Sequence, residues 1–456
     1  MSKSLDQSPA RRPDFAIKDG TCILAHESDP ERLVRVRTSV AVTDGKITAI
    51  GNDAHQHAAE VFDAKGLFVL PGAIDSQVHF REPGLTHKED LESGTRGAVL
   101  GGITSVFEMP NTKPSTTTKE SFAEKLRLAE GRVWSDVSFF IGASPENIDH
   151  LAELERHKNC CAIKIFMGSS TGTLLIDQEQ NLRDILARGK RRVALHSEDE
   201  ERLKERRHLV EGSNDPKLHP VWRDEETAIR STMKLLRLAR ETGRPVHVLH
   251  ITTAEEMDIL RNAKDIATVE TCPQFLTLSA PECYERLGTY AQMNPPIRDK
   301  RHQDALWRAI TDGTVTVLGS DHAPHTREEK DKPYPESPSG LTGVQTMLPL
   351  MLNHVNAGKL SLERLVELLC RNNARLYGAI GKGEIKTGYD ADFTIVDLAH
   401  ERVIENKWIA SKAGWTPYDG MKVKGWPVAT IVRGSIVMRD DQLIGRPIGR
   451  PIEFRT

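Results

Sequence analysis

No run of about eighteen apolar residues occurs in the 456-residue chain, which argues against a membrane-spanning helix. The polar, basic start from Met1 to Pro13 has no apolar core, so it reads as neither signal peptide nor anchor. Excess charge is missing too. The 62 Lys and Arg against 65 Asp and Glu leave a formal charge of −3, which gives no electrostatic footprint for nucleic acid. Basic runs such as Lys190 to Arg192 read as solvated faces. The six cysteines form no C-x-x-C pair or regular framework, as expected of a chain kept in a reducing cytoplasm. Adjacent Cys160 and Cys161 read as packing residues.

What is present is the composition of a globular protein, 38% hydrophobic and 28% charged, long enough for one large barrel and an accessory domain. From about 14 to 70 the chain reads as short strands: Phe15 to Lys18, Cys22 to Leu24, Leu33 to Val42, Lys46 to Ile50 and Leu67 to Leu70. Asp44-Gly45 supplies the positive φ of a tight hairpin. A second set, Phe393 to Val396, Ala429 to Val432 and Ser435 to Met438, lies at the far end, with Arg433-Gly434 as its hairpin turn. The two sets, in 14–70 and 384–456, predict one small β-sandwich built from both termini.

The middle, 71–383, alternates strand and helix patterns. Eight strands are predicted at Ala73 to Phe80, Ile103 to Met109, Val137 to Ile141, Ala162 to Met167, Arg192 to His196, Pro245 to His250, Ala267 to Thr271 and Thr314 to Gly319. Helices are expected over Lys119 to Leu128, Asp224 to Arg240 and Ala254 to Ala263. This is the pattern of a (β/α)8 TIM barrel, with a doubly wound open sheet as the competitor. Polar groups recur at the C-terminal ends of several strands, and no Gly-x-Gly-x-x-Gly follows the first, which favours the barrel.

Those strand ends carry the chemistry. On the first, alternation places Gln77, His79 and Arg81 on one side, before Pro83-Gly84 stops the run. Lys164 stands inside an apolar strand, an expensive place for an ammonium; burial favours the neutral amine, which can take up CO2 as a carbamate. Read alone, such a lysine also suits an ion pair or a snorkelling role. His196 and His250 close two further strands, either as core histidines or as metal ligands. Asp321 follows the apolar run Thr314 to Gly319, placed to ligate a metal and move a proton, or else to cap a helix.

The stretch Asp75 to Gly84 resembles the first-strand signature of dihydroorotases in the amidohydrolase superfamily, usually Asp-x-His-x-His-x-Arg-x-Pro-Gly, with Gln77 in place of the first histidine. The resemblance extends to Glu108 to Thr112, Gln292 to Arg298, Ser320 to His325, Ser339 to Gly343, and the terminal segments Asp44 to Gly51 and Gly388 to Asp392. It implies His79, His196, His250 and Asp321 as zinc ligands and Lys164 as a carbamylated bridging ligand, with one or two Zn2+ per subunit. It implies Arg81, Asn111 and His325 around a substrate carboxylate, and Asn294 and the Gly343 loop around a ring. Arg81 has the fork geometry a carboxylate needs, or that of a salt bridge at the rim. The activity implied is reversible opening of the cyclic amide of L-dihydroorotate to N-carbamoyl-L-aspartate, in pyrimidine biosynthesis. Rival readings are a hydantoinase, dihydropyrimidinase or allantoinase, and a silent subunit supporting aspartate transcarbamoylase; the implied enzyme is a homo-oligomer. The charged, proline-rich segment from Thr326 to Ser339 reads as a lid or a plain surface loop, and Ser169 to Gly172 as a possible substrate contact.

Overall fold

The computed structural model describes residues 12–169 and 174–455. The chain opens with five strands: β1 Phe15–His26, β2 Asp29–Thr43, β3 Lys46–Gly51, β4 Glu60–Asp63 and β5 Phe68–Pro71. Asp44 and Gly45 have φ of 52° and 73°, and Thr43 pairs with Lys46, so the expected hairpin turn forms. The two short strands predicted at Phe15 to Lys18 and Cys22 to Leu24 are instead one strand, β1. Its register shifts between Ile17 and Gly20, where Asp19 has φ 58°, and that bulge is what made the sequence read as a break. Strand β4, which has no clear alternation, was not anticipated; it pairs parallel to the start of β1.

Eight strands then form the barrel: β6 Ala73–Val78, β7 Ile103–Glu108, β8 Asp136–Gly142, β9 Cys160–Phe166, β10 Val193–His196, β11 Val246–Val248, β12 Ala267–Thr271 and β13 Val317–Leu318. Every neighbouring pair is parallel, in sequence order. Closure is made beyond the last strand, where the His79 N–H donates to the His322 carbonyl at 2.7 Å and Val78 bridges His322 in parallel. The strands read as near-continuous apolar runs because the barrel buries both of their faces. Helices Lys119–Ala129, Glu225–Thr242 and Ala254–Arg261 begin at Thr118, Asp224 and Thr253, whose side chains accept N–H bonds from the first turn.

The chain ends in β14 Phe393–Val403, β15 Lys422–Val432, β16 Ser435–Arg439 and β17 Gln442–Leu443. Antiparallel pairing of β14 with β5 joins both termini in one nine-stranded sheet. Its buried side packs Phe15, Ile17, Val40, Val69, Phe393, Ile395 and Ile431. Among the described residues no helix is long and apolar enough to cross a membrane. All six cysteines are free and buried.

Candidate active site

The C-terminal ends of the strands converge on one cavity, lined by Gln77, His79, Arg81, Asn111, Lys164, His196, His250, Asn294 and Asp321. Strand alternation accounts for only part of this. Strand β6 stops at Val78, and Arg81 turns back through left-handed backbone at φ 64°. His250 and Asp321 do the same just past β11 and β13, at φ 39° and 46°. Bends of this kind at non-glycine residues are uncommon and concentrate at functional sites.

Each side chain is held from a second direction. Asp321 Oδ1 accepts from the Gln77 amide at 3.0 Å and lies 3.2 Å from His79 Nε2. His79 Nδ1 lies 2.7 Å from Asn111 Oδ1, so the ring is held between Asn111 and the Asp321 carboxylate. His196 Nε2 donates to Glu198 at 2.8 Å, and its Nδ1 faces His250 Nε2 at 3.1 Å. Glu198 is fixed in turn by Arg223 at 2.5 Å, and burial notwithstanding, Arg223 and His196 hold its carboxyl down at about 2.

Burial sets the protonation of the cluster. It lowers His79 and His196, and pushes His250 well down, so the imidazoles are neutral. It pulls Lys164 down to about 7, against the opposing charges of Asp321 and Glu270. Lys164 Nζ, Gln77 Oε1 and His250 Nδ1 are buried with no hydrogen-bond partner. Neutral imidazoles, a carboxylate and an available amine form a donor set that suits a cation such as zinc.

A second face of the cavity is cationic. Arg81 Nε donates to the Pro324 carbonyl at 3.3 Å, whereas its Nη1 is buried without a partner. Burial lowers the guanidinium only to about 10. His325 lies behind it, 3.4 Å from Arg81 Nη2 and 3.1 Å from the Ser339 carbonyl. Sequence reasoning missed Lys88, which reaches His325 Nδ1 at 3.1 Å and Glu329 at 2.8 Å. It also left Glu198 and Arg223 without a role, although Glu198 stood in an acidic run next to His196.

Gly343 stands apart from the cavity, its N–H donating to His322 Nδ1 at 3.0 Å; from that loop Ser339 and Gly340 reach the cavity. The 326–339 segment is tied down by Lys330, whose Nζ donates to the Pro338 carbonyl at 2.8 Å and whose own carbonyl accepts from Thr289 at 2.6 Å. Ser170, Thr171 and Gly172 lie outside the described residues; Ser169 donates its N–H to Glu200 at 2.6 Å. Asp136, Asp390 and Asp392 are spaced closely enough for a cation, but Lys382 Nζ lies 2.6, 2.9 and 2.5 Å from them. The Lys382 ammonium already occupies the space between them.

The amidohydrolase family model matches residues 68–437. A dihydroorotase of Methanosarcina mazei is 36% identical over 451 residues, 95% of this chain and 96% of that protein. One from Methanosarcina acetivorans is 37% identical, covering 95% and 94%. Among solved structures, the L-hydantoinase (dihydropyrimidinase) of Arthrobacter aurescens superposes with a TM-score of 0.90 at 28% identity, over 97% of this chain and 100% of that one.

Proposed function

As the chain belongs to the amidohydrolase family, we propose that it is a dihydroorotase, which opens the cyclic amide of L-dihydroorotate to N-carbamoyl-L-aspartate and closes it again. The observation that carries this reading is the buried, unpartnered Nη1 of Arg81 on the same cavity as Lys164 and Asp321. A buried N–H donor left without a partner is costly, and a ring carboxylate would take it up through a forked, charge-assisted contact. Hydantoin and dihydrouracil rings have no carboxylate to offer. The relatives in Methanosarcina, named dihydroorotases, support the same choice.

In this reading His79, His196, His250 and Asp321, with Lys164 as a CO2-derived carbamate, would hold one or two zinc ions. Bound there, zinc supplies Lewis-acid polarisation of the scissile carbonyl and a lowered pKa for water. Asp321, oriented by the Gln77 amide, takes the proton from the attacking water and returns it to the ring nitrogen as the C–N bond breaks. Arg81, with Asn111 and His325 beside it, grips the carboxylate and so sets the ring against Asp321. Gln77 serves as a donor to Asp321 here, so replacing the first histidine of the motif still leaves a working contact.

The hydantoinase reading draws on the structural likeness, and the two separate on substrate. The kcat/KM for L-dihydroorotate is expected to exceed those for hydantoin and dihydrouracil by at least about a hundredfold, the worth of one buried charge-assisted contact. Equal or reversed preference would remove the dihydroorotase assignment. A cytoplasmic homo-oligomer, alone or with aspartate transcarbamoylase, is the assembly this function suggests.

A further inference from the structure

Asn294 lines the cavity, and which end of its amide faces inward decides whether that wall donates or accepts. His219, at the start of the short helix His219–Trp222, is wholly buried and is not part of the cavity wall. Its Nε2 lies 2.9 Å from the Met293 carbonyl oxygen and 3.0 Å from Asn294 Oδ1. A backbone carbonyl only accepts, so Nε2 carries the proton. An Asn294 NH2 turned toward it would set donor against donor. The amide is therefore held with Oδ1 on His219 and its NH2 toward the cavity. On the other side of the ring, Nδ1 is left as an acceptor for the Tyr334 hydroxyl at 3.5 Å. Burial, helped by the charge of Arg223, pushes His219 down to about 3, so the single-proton tautomer is the one present at neutral pH.

We propose that His219 is a positioning residue that fixes Asn294 as a hydrogen-bond donor to a ring carbonyl of the substrate. Cyclic ureides alternate N–H donors with C=O acceptors around the ring. An amide free to flip would recognise either, in two registers; a fixed one selects the carbonyl and a single placement of the scissile bond. The inference rests on the proposed function only in taking the ligand to be a ring carrying carbonyls.

The test is a double-mutant cycle in the full-length zinc-loaded protein, read as kcat, KM and the calorimetric Kd for L-dihydroorotate. His219→Ala is expected to raise KM and Kd about tenfold with a smaller change in kcat, the worth of one oriented hydrogen bond. His219→Gln, whose amide N–H can replace Nε2–H, is expected to recover most of the loss. In an Asn294→Ala background His219→Ala should add little. Asn294→Asp keeps an acceptor for His219 but offers the cavity no donor, so it should bind the ring at least as poorly as Asn294→Ala, whether or not His219→Ala folds. Additive effects, a His219→Gln variant no better than His219→Ala, or an Asn294→Asp variant that binds like the wild type would each overturn the proposal. Wild-type turnover of hydantoin or dihydrouracil without L-dihydroorotate would overturn the proposed function instead, and the same cycle would then be read on that ring. A wild type that binds none of these rings would overturn both.

Discussion

At the scale of single residues, burial decides the charge of the site's histidines and of its lysine. Lys164 shows this most directly. Its pKa is drawn down to about 7, and only the neutral amine adds CO2, so carbamate formation should rise with pH between about 6 and about 8 and fail below, where the ammonium dominates. The carbamate signal after labelling with 13C-bicarbonate measures it; uptake independent of pH would speak against a lysine held in this way. Glu198 holds His196 Nε2 at 2.8 Å and so aims Nδ1 into the cluster. Glu198→Gln is expected to cost about 10-fold to 100-fold in zinc affinity by chelator competition, with the fold kept. Much of this was legible from residue types: a lysine in an apolar strand, histidines closing two strands, an aspartate after a third. The partners Arg223 and Lys88 were not, because each lies far along the chain from the group it supports and has no periodic signature.

Among the elements, all eight barrel strands were readable, since burial on both faces writes itself as apolar runs. Their ends were less so. Arg81, His250 and Asp321 leave strand geometry through left-handed backbone, and nothing in their sequence announces it. The loops that finish the cavity are set by close approach. Gly340, at φ 149°, brings its Cα so near the Ala323 carbonyl that an added Cβ would sit 2.3 Å from that oxygen and 2.9 Å from His325. Gly340→Ala therefore has to displace His325 or the loop, and KM for L-dihydroorotate should rise about tenfold or more, with kcat changed less. An unchanged KM would mean that His325 does not help to seat the carboxylate.

For the whole molecule, the terminal strands were legible through their alternation and hairpin turns, and their assembly from both termini was expected; that β5 and β14 make the join was not, because pairing across more than three hundred residues leaves no local mark. Sheet and barrel meet at Lys382, which joins Asp136 at the start of β8 to Asp390 and Asp392 before β14, with Arg433 alongside. Lys382→Met would leave Asp392 without its cation while Asp136 keeps Arg433 and Asp390 keeps Lys46, and is expected to cost about 3–5 kcal/mol in chemical denaturation while leaving the cavity residues in place. A loss well under that would mean water already reaches the trio. The central claim, that this chain is a working dihydroorotase with Asp321 as its proton carrier, is tested most directly by turnover of L-dihydroorotate with zinc and bicarbonate supplied. The wild type should open the ring, and Asp321→Asn should lower kcat by about 10²-fold to 10⁴-fold without loss of fold. Folded, zinc-loaded wild-type protein that neither opens L-dihydroorotate nor closes N-carbamoyl-L-aspartate would contradict it.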